Sequence, residues 1–172
     1  MLIETERLQL RPLTVDDLDD VLALQAEPEV MRFLGRLDRG QATEWLQITE
    51  RQWAEVGYGR AAVIDRASGR FVGRSGLRYW PEFEETEVGW VLHPDVWGQG
   101  LATEAGNASL RWGFKNLYVP YITAIINPEN TRSNAVAQRL GMTPLRDDTH
   151  FGDAVTIHSI SREAFTQSAA GA

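Results

Sequence analysis

The stretch from Glu87 to Glu104 carries the residue types best suited to chemistry. Its sequence, EVGWVLHPDVWGQGLATE, passes from a strand-like pattern through a turn at Pro94 to two glycines, Gly98 and Gly100. Glycine lets the backbone approach a ligand without a Cβ in the way. The free N–H groups at the start of the following helix favour an anion such as a pyrophosphate. The spacing therefore predicts a phosphate-binding turn, and a purely structural tight turn is an equal alternative.

Three better-known glycine motifs can be tested against the sequence, and each lacks a required residue. Thr103 stands where a dinucleotide-binding fingerprint has its third glycine. Gly35 and Gly40 have the P-loop gap, but Gln-Ala follows them instead of the Lys-Ser/Thr that holds phosphate and magnesium. The stretch GRSGL at 73–77 lacks the final glycine of a nucleophile elbow. Dehydrogenase, ATPase and serine hydrolase functions therefore lose support.

Composition narrows the function classes further. The 172 residues include 17 Lys+Arg and 24 Asp+Glu, a formal charge of −7, which makes a nucleic acid partner unfavourable. The chain contains no cysteine, so disulfides, thiolate zinc sites and a cysteine nucleophile are excluded. Its three histidines show no metal-ligand spacing such as i, i+4, so no metal is predicted.

The N-terminal segment and the hydropathy pattern bear on localisation. The sequence MLIETERLQLRPL lacks the basic-then-apolar order of a secretory signal. No apolar stretch approaches the ~18 residues that a membrane span requires. We therefore expect a cytoplasmic protein with no membrane association.

Hydrophobic periodicity divides the chain into the elements that would position these residues. Period-2 patterns predict strands at 7–13, 60–65, 71–79, 85–92, 121–126 and 155–160. Helical patterns predict helices from Thr14 to about 25, and at 41–56, 101–114 and 130–140, with a short helical turn and loop at 29–39. This order predicts one mixed α/β domain over residues 1–165, followed by a frayed tail at 166–172.

Several of these segments resemble one known family in sequence and in order. The segments are Thr5-Glu-Arg-Leu-x-Leu-Arg-Pro12, Glu87-Val-Gly-Trp90, Trp97-Gly-Gln-Gly-Leu-Ala-Thr-Glu-Ala105, and Asn127-x-x-Asn130-x-x-Ser133 with the later Leu140-Gly-Met142. Together they resemble the GCN5-related N-acetyltransferases (GNAT), and specifically the RimJ/RimL-like branch, which includes ribosomal-protein N-acetyltransferases. Trp97 stands where the general family often has Arg or Gln, a departure that favours this branch.

The resemblance implies a fold and a reaction. The implied fold is a mixed, mostly antiparallel twisted sheet with helices on both faces, splayed between the fourth and fifth predicted strands. The implied reaction moves the acetyl group of acetyl-CoA to a primary amine. With no cysteine to carry an acyl group, we expect direct attack by the amine in a ternary complex.

The resemblance also implies which residues bind acetyl-CoA, the implied co-substrate. Leu92 would lend backbone groups to the pantetheine arm, and a backbone amide near Leu92 or His93 would polarise the reacting carbonyl. Asn130 would contact pantetheine or cap the helix that follows it, or do both. The full predicted set is Leu92, Trp97, Gly98, Gln99, Gly100, Leu101, Ala102, Asn127, Asn130 and Ser133.

Two residues are predicted to act in catalysis. Glu87 is the candidate general base, acting through water on the acceptor ammonium. The alternative for Glu87 is a solvated edge residue within the acidic run at 82–87. Ser133 is the candidate acid for the departing thiolate, and an ordinary helix-start serine is its alternative. His150, expected between the last two strands in a hairpin that lines the acceptor pocket in relatives, is a weaker alternative base.

The sequence leaves the acceptor open between a protein N-terminus and a small amine such as a polyamine, amino-acid derivative or aminoglycoside. A third, least favoured alternative is a non-catalytic acyl-CoA-binding module, which would have no acceptor. Acceptor contacts are expected from the loop 28–40 and the hairpin 145–152. The charge of −7 suggests that the protein gathers a cationic amine. The resemblance is compatible with a homodimer, which no sequence feature requires.

Overall fold

The computed structural model describes residues 2–81, 83–150 and 152–170. Its strands are Ile3–Glu4 (β1), Leu8–Pro12 (β2), Arg60–Asp65 (β3), Phe71–Trp80 (β4), Glu85–Leu92 (β5), Tyr121–Ile126 (β6), Thr143–His150 (β7) and Asp153–Ser161 (β8). Its α-helices are Leu18–Ala26 (α1), Pro28–Leu34 (α2), Arg39–Val56 (α3), Leu101–Asn116 (α4), Thr131–Arg139 (α5) and Arg162–Ala170 (α6). None of the helices in these ranges is both long and apolar enough to cross a bilayer.

The eight strands form one sheet in the order β1-β2-β3-β4-β5-β6-β8-β7. The pairings are antiparallel except for β5 with β6, which are parallel and meet in register only at Glu87 and Thr123. Since β5 continues to Leu92 and β6 to Ile126, the two strands diverge beyond that point. The mixed, mostly antiparallel and splayed sheet is confirmed, and the splay lies between the strands predicted fourth and fifth.

Helices cover both faces of the sheet because the strands alternate apolar side chains between them. On one face, α1 to α3 bury a cluster that includes Leu13, Leu24, Leu46 and Ala62. On the other face, α4 and α5 pack over Val88 and its neighbours. Thr14 and Asp17 form a capping box at the turn that leads into α1. These two layers hold β5 and β6 apart while each stays buried.

The C-terminal part contains two elements that the sequence did not predict. β7 was not predicted as a strand, because its residues are mostly exposed and show no apolar alternation. It is the edge strand of the sheet, and its backbone pairs with β8. The second element is α6, which runs to Ala170 and whose first residue, Arg162, donates to main-chain carbonyls of Leu117 and Val119. Fraying of the tail at 166–172 stays a prediction. Residues 171–172 lie outside the described residues.

Candidate active site

The gap between β5 and β6 opens a cavity of about 680 Å³. Its walls come from both faces of the sheet: Glu87 and Gly89 lie on the α1–α3 side, and Trp90 and Leu101 on the α4 side. A ligand in this cavity would therefore contact side chains from both faces of the sheet. The cavity is lined by every predicted site residue except Gln99, whose side chain is exposed: Glu87, Leu92, Trp97, Gly98, Gly100, Leu101, Ala102, Asn127, Asn130 and Ser133.

The glycine turn has the backbone that an anion site needs. Gly98 and Gly100 have φ of 76° and 78°, in the left-handed region that glycine adopts without strain. Gly100 is also the N-cap of α4, and no side chain caps this end of the helix. Trp97 fixes the turn to β5, since its Nε1 donates to the Leu92 carbonyl oxygen at 2.8 Å. The turn thus presents uncapped amides to the cavity.

A clamp from the N-terminal segment holds this turn against α4. Thr5 and Arg7 both donate hydrogen bonds to the Glu104 carboxylate, at 2.6 Å from the Thr5 hydroxyl and 2.7 Å from Arg7 Nε. Arg7 also donates to the Gln99 carbonyl oxygen at 2.8 Å. Partial burial opposes ionisation of Glu104, but the hydrogen bonds from Thr5 and Arg7 outweigh it and lower its pKa. Residues 92 to 99 positions apart in the sequence are thereby joined at the glycine turn.

Of the two backbone amides predicted to polarise a carbonyl group, those of Leu92 and His93, one is already hydrogen-bonded to β4. The His93 N–H donates to the Val72 carbonyl oxygen at 2.9 Å, so the prediction for His93 is wrong. In an antiparallel ladder the next residue along the strand points its N–H and C=O the opposite way. Leu92 therefore directs both groups away from β4, toward the gap, and its C=O meets Trp97 there.

The loop after β6 and the start of α5 form the opposite wall. Asn130 is the N-cap of α5, and its Oδ1 accepts from the Ser133 N–H at 3.1 Å. Asn134 braces the loop by donating to the carbonyl oxygens of Asn127 and Asn130. Ser133 is half-buried and lines the cavity one turn into the helix. The capping alternative for Asn130 is confirmed, and its contact with a co-substrate stays a prediction.

Glu87 is buried and is held by two specific donors. Its Oε2 accepts from Arg60 at 2.8 Å and from Trp80 Nε1 at 2.7 Å. The side chain is only 9% exposed, which excludes the solvated edge residue considered from the sequence. The acidic run misled because only alternate residues of a strand share a face, and Glu87 points inward. Glu82, in the same run, lies outside the described residues.

Gly89 explains how Arg60 reaches Glu87. A Cβ on Gly89 would lie 2.6 Å from Arg60 Nη1, so any larger residue would displace the guanidinium. Arg60 also donates to the Gly76 carbonyl oxygen at 2.8 Å. The glycine of the strand pattern Glu-x-Gly therefore leaves room for the buried ion pair between Arg60 and Glu87. Sequence spacing alone could not predict this pair.

The acceptor side differs in part from the prediction. The loop expected at 28–40 contributes α2, whose Glu29, Val30, Phe33 and Leu34 line the cavity. Among the described residues, none of the hairpin at 145–152 does so. His150 ends β7, and its ring contacts Trp80 edge-on at 4.8 Å. It therefore supports the donor that holds Glu87, and does not line the cavity.

Sequence reasoning missed the basic residues of the cavity. Arg60 and Arg74 project from adjacent strands onto the α1–α3 side. A single arginine in a strand has no local signal for function, because its role depends on partners from other strands. The contact of Arg7 with Glu104 was likewise hidden by sequence distance, although both residues lie in the segments quoted for the family resemblance.

The chain matches a protein-family model over residues 7–143, and the model describes an acetyltransferase (GNAT) domain. The matched range contains the glycine turn, the gap between the strands and both asparagines. The chain belongs to the GNAT acetyltransferases. The predicted family is thus confirmed, and the RimJ/RimL-like branch stays a prediction.

Similar proteins agree with this assignment. The chain is 33% identical over 144 residues to the uncharacterized protein YkkB of Bacillus subtilis, a match that covers 80% of this chain and 83% of that one. It also resembles the crystal structure of an acetyltransferase from Agrobacterium tumefaciens, with 29% identity, a TM-score of 0.81, and coverage of 93% and 94%. The aminoglycoside acetyltransferase AAC(6')-Ib, solved with coenzyme A, shares the fold at 18% identity and a TM-score of 0.80, over 94% of this chain and 99% of that one.

Proposed function

We propose that this GNAT acetyltransferase takes the acetyl group from acetyl-CoA and transfers it to a primary amine by direct attack in a ternary complex. The observation that carries the proposal is the cavity at the splayed strands, bordered by the uncapped start of α4 and by Glu87. The finer assignment to the RimJ/RimL-like branch rests on the resemblance of the sequence segments, two of which are in contact through Arg7 and Glu104.

Acetyl-CoA would supply an electrophilic acyl carbon joined to a thiolate leaving group. The amides of the turn from Gly98 to Ala102 would bind its pyrophosphate. The Trp97 N–H, which was also expected to bind it, already donates to the Pro94 carbonyl oxygen at 3.1 Å. Asn127 and Asn130 would contact the pantetheine arm from the opposite wall. The backbone N–H of Leu92, which points into the gap, would stabilise negative charge on the reacting carbonyl oxygen.

The remaining steps concern protons. The acceptor reaches the site as an ammonium and must lose a proton before its nitrogen can attack, and Glu87 would accept that proton through a water molecule. The nitrogen then bonds to the acyl carbon, loses its second proton to water, and the carbon–sulfur bond breaks. The Ser133 hydroxyl would give a proton to the departing thiolate. A thiolate leaves readily, so this last role is the smaller one.

The proposal is tested with purified protein, acetyl-CoA and a panel of amines and N-terminal peptides. Free thiol release measures turnover, and mass spectrometry locates the acetyl group. We expect thiol release that depends on an amine, and a product whose acetyl group resists hydroxylamine, as an amide does. Tight binding of coenzyme A without turnover of any amine would contradict the proposal and favour a binding module.

A further inference from the structure

Arg74 lines the cavity, and the proposed mechanism does not use it. It lies on β4, paired with Val91 of β5, and its side chain lines the cavity on the α1–α3 side. Its guanidinium stacks on the Trp45 ring at 4.7 Å from the ring centroid. Its Nε is buried, and among the described residues that nitrogen has no hydrogen-bond partner. No carboxylate in that part of the chain lies within 4 Å of it.

The charges around Arg74 leave a positive excess. Burial and then the nearby Arg60 lower the pKa of Arg74 to about 9, while Glu87 opposes them, so Arg74 stays charged at neutral pH. Glu87 is committed to Arg60 at 2.8 Å, and Arg78 adds a further positive charge. Glu29, at the exposed rim of the cavity, is not among the charges that act on Arg74.

A guanidinium that lines a cavity without a counterion is costly where it is shielded from water, and a buried donor such as its Nε usually has a partner in native proteins. Stacking on Trp45 stabilises the cation but satisfies no N–H group. The planar fork of a guanidinium matches a carboxylate with two parallel hydrogen bonds. The chemistry of the site therefore favours an anionic group with the geometry of a carboxylate.

Resting on the proposed function, we propose that Arg74 binds a carboxylate of the acceptor, and hence that the acceptor is a small amine that carries a carboxylate near its amino group. Arg74 is the cross-strand neighbour of Val91, next to the gap at Leu92, so a carboxylate on Arg74 and an amine at the gap suit a small molecule. Val30, Phe33 and Leu34 of α2 provide an apolar wall for the rest of it. An amino acid with an apolar side chain combines these features, whereas polyamines and aminoglycosides do not.

The test compares L-leucine with two amines that lack the carboxylate, L-leucinamide and 3-methylbutylamine. For the unmodified enzyme we expect kcat/KM for leucine to exceed that for either amine at least tenfold. Arg74→Met keeps an unbranched apolar stem on Trp45 and removes the charge. It should raise KM for leucine at least tenfold while changing KM for leucinamide less than twofold. Arg74→Lys, which keeps the charge without the fork, should lie between the two.

Arg111→Met is the matched control, because Arg111 is exposed on α4 and does not line the cavity. It should change neither KM. If Arg74→Met raises KM for leucine and for leucinamide by the same factor, Arg74 has only a structural role and the inference is overturned. A leucine-initiated tetrapeptide with a higher kcat/KM than leucine would also overturn it, in favour of a protein N-terminus.

Binding of the acetylated products separates this inference from the proposed function. Calorimetry with coenzyme A present should show that N-acetyl-leucine binds at least tenfold more tightly than N-acetyl-leucinamide, and that Arg74→Met abolishes the difference. If no amine is acetylated but this difference is found, the proposed function fails while the carboxylate site stands. If amines are acetylated and the difference is absent, the carboxylate site fails alone.

Discussion

The carboxylate of Glu87 offers a clean test of general-base catalysis, because one oxygen, Oε2, accepts from both Arg60 and Trp80. In Glu87→Gln, the amide oxygen can accept both hydrogen bonds, so their geometry survives while the base, and the charge that pairs with Arg60, are lost. We expect kcat/KM to fall about a hundredfold at neutral pH, at the lower end of what general bases contribute. The measurement is kcat/KM against pH for both proteins.

The pH profile distinguishes this role from a positioning role. Loss of a base should remove the limb on which activity rises with pH, and an unchanged profile in Glu87→Gln would exclude Glu87 as the base. Trp80→Phe serves as the control, because it removes one donor to Oε2 and keeps the aromatic ring. It should lower activity without removing that limb.

The roles of Ser133 and Asn130 can be tested separately, because the helix cap joins the backbone N–H of Ser133 to the side chain of Asn130. Ser133→Ala keeps the N–H that Asn130 caps, so we expect kcat to fall several-fold with little change in the free energy of unfolding. Asn130→Ala removes the cap and should cost about 1 kcal/mol of stability. Steady-state kinetics and urea denaturation of both variants are the measurements. An unchanged kcat in Ser133→Ala would remove the acid role.

Among the elements, the join between the segment that leads into β2 and helix α4 gives a pH-dependent prediction. The hydrogen bonds to Glu104 lower its pKa in the folded protein. Its contribution to stability is therefore fully present above the unfolded pKa, about 4.3, and disappears as the pH falls through the lower folded value. We expect Glu104→Gln to destabilise the protein by roughly 1 kcal/mol at pH 7, with the difference shrinking in acid.

Denaturation of wild type and Glu104→Gln at several pH values between 7 and 3 measures that difference. Glu6→Gln is the matched control, since Glu6 lies next to Arg7 and is exposed. A loss of stability that stayed constant down to pH 3 would contradict the charge argument. Glu104→Gln should also raise KM for acetyl-CoA, because Arg7 would hold the Gln99 carbonyl less firmly.

Elements with strong periodicity were predictable, and elements without it were not. The bounds of β5 and β6, which border the cavity, match the prediction because both strands are buried and flanked by turn residues. β7 escaped notice because an edge strand needs only backbone pairing, and its exposed polar residues show no alternation. The glycine turn was predictable because its constraint on φ is local.

The acceptor side was much less predictable. Arg74 and its stacking partner Trp45 lie on different elements, and neither has a local signature. Their role depends on the sheet register, which brings Arg60 and Arg74 together across β3 and β4. Residue spacing could predict the glycine turn, but the positive charge around Arg74 is evident only in the assembled sheet.

At the scale of the molecule, net charge and local charge differ in sign. The chain carries −7 overall, which suggested a cationic acceptor. Around Arg74 the balance is positive, and at contact distance a buried group acts more strongly than surface charges screened over about 8–10 Å. We therefore expect the acceptor to be selected by the cavity and not by the overall field.

The sheet consists of two halves that meet in register at a single pair, Glu87 with Thr123. Beyond it, contacts across the gap include Arg132 of α5, whose guanidinium lies over the Trp97 ring at 4.3 Å from the centroid. A ligand that touches the turn at 97–102 on one side and Asn130 on the other would join the halves. Binding of coenzyme A should thus stabilise the whole fold.

A ligand that binds only the folded state adds about 2.7 kcal/mol at a hundred times its Kd. For a chain of 172 residues, each kcal/mol raises Tm by roughly 2–4 °C, so we expect an increase of about 5–11 °C with coenzyme A. Gly100→Ala strains a residue with φ of 78°, and the new Cβ would meet Arg7 Nη2 at 3.8 Å, an ordinary van der Waals distance, so it should disturb the turn without a steric clash. This variant should lose most of the increase in Tm. An equal increase in Gly100→Ala would show that coenzyme A binds away from the turn.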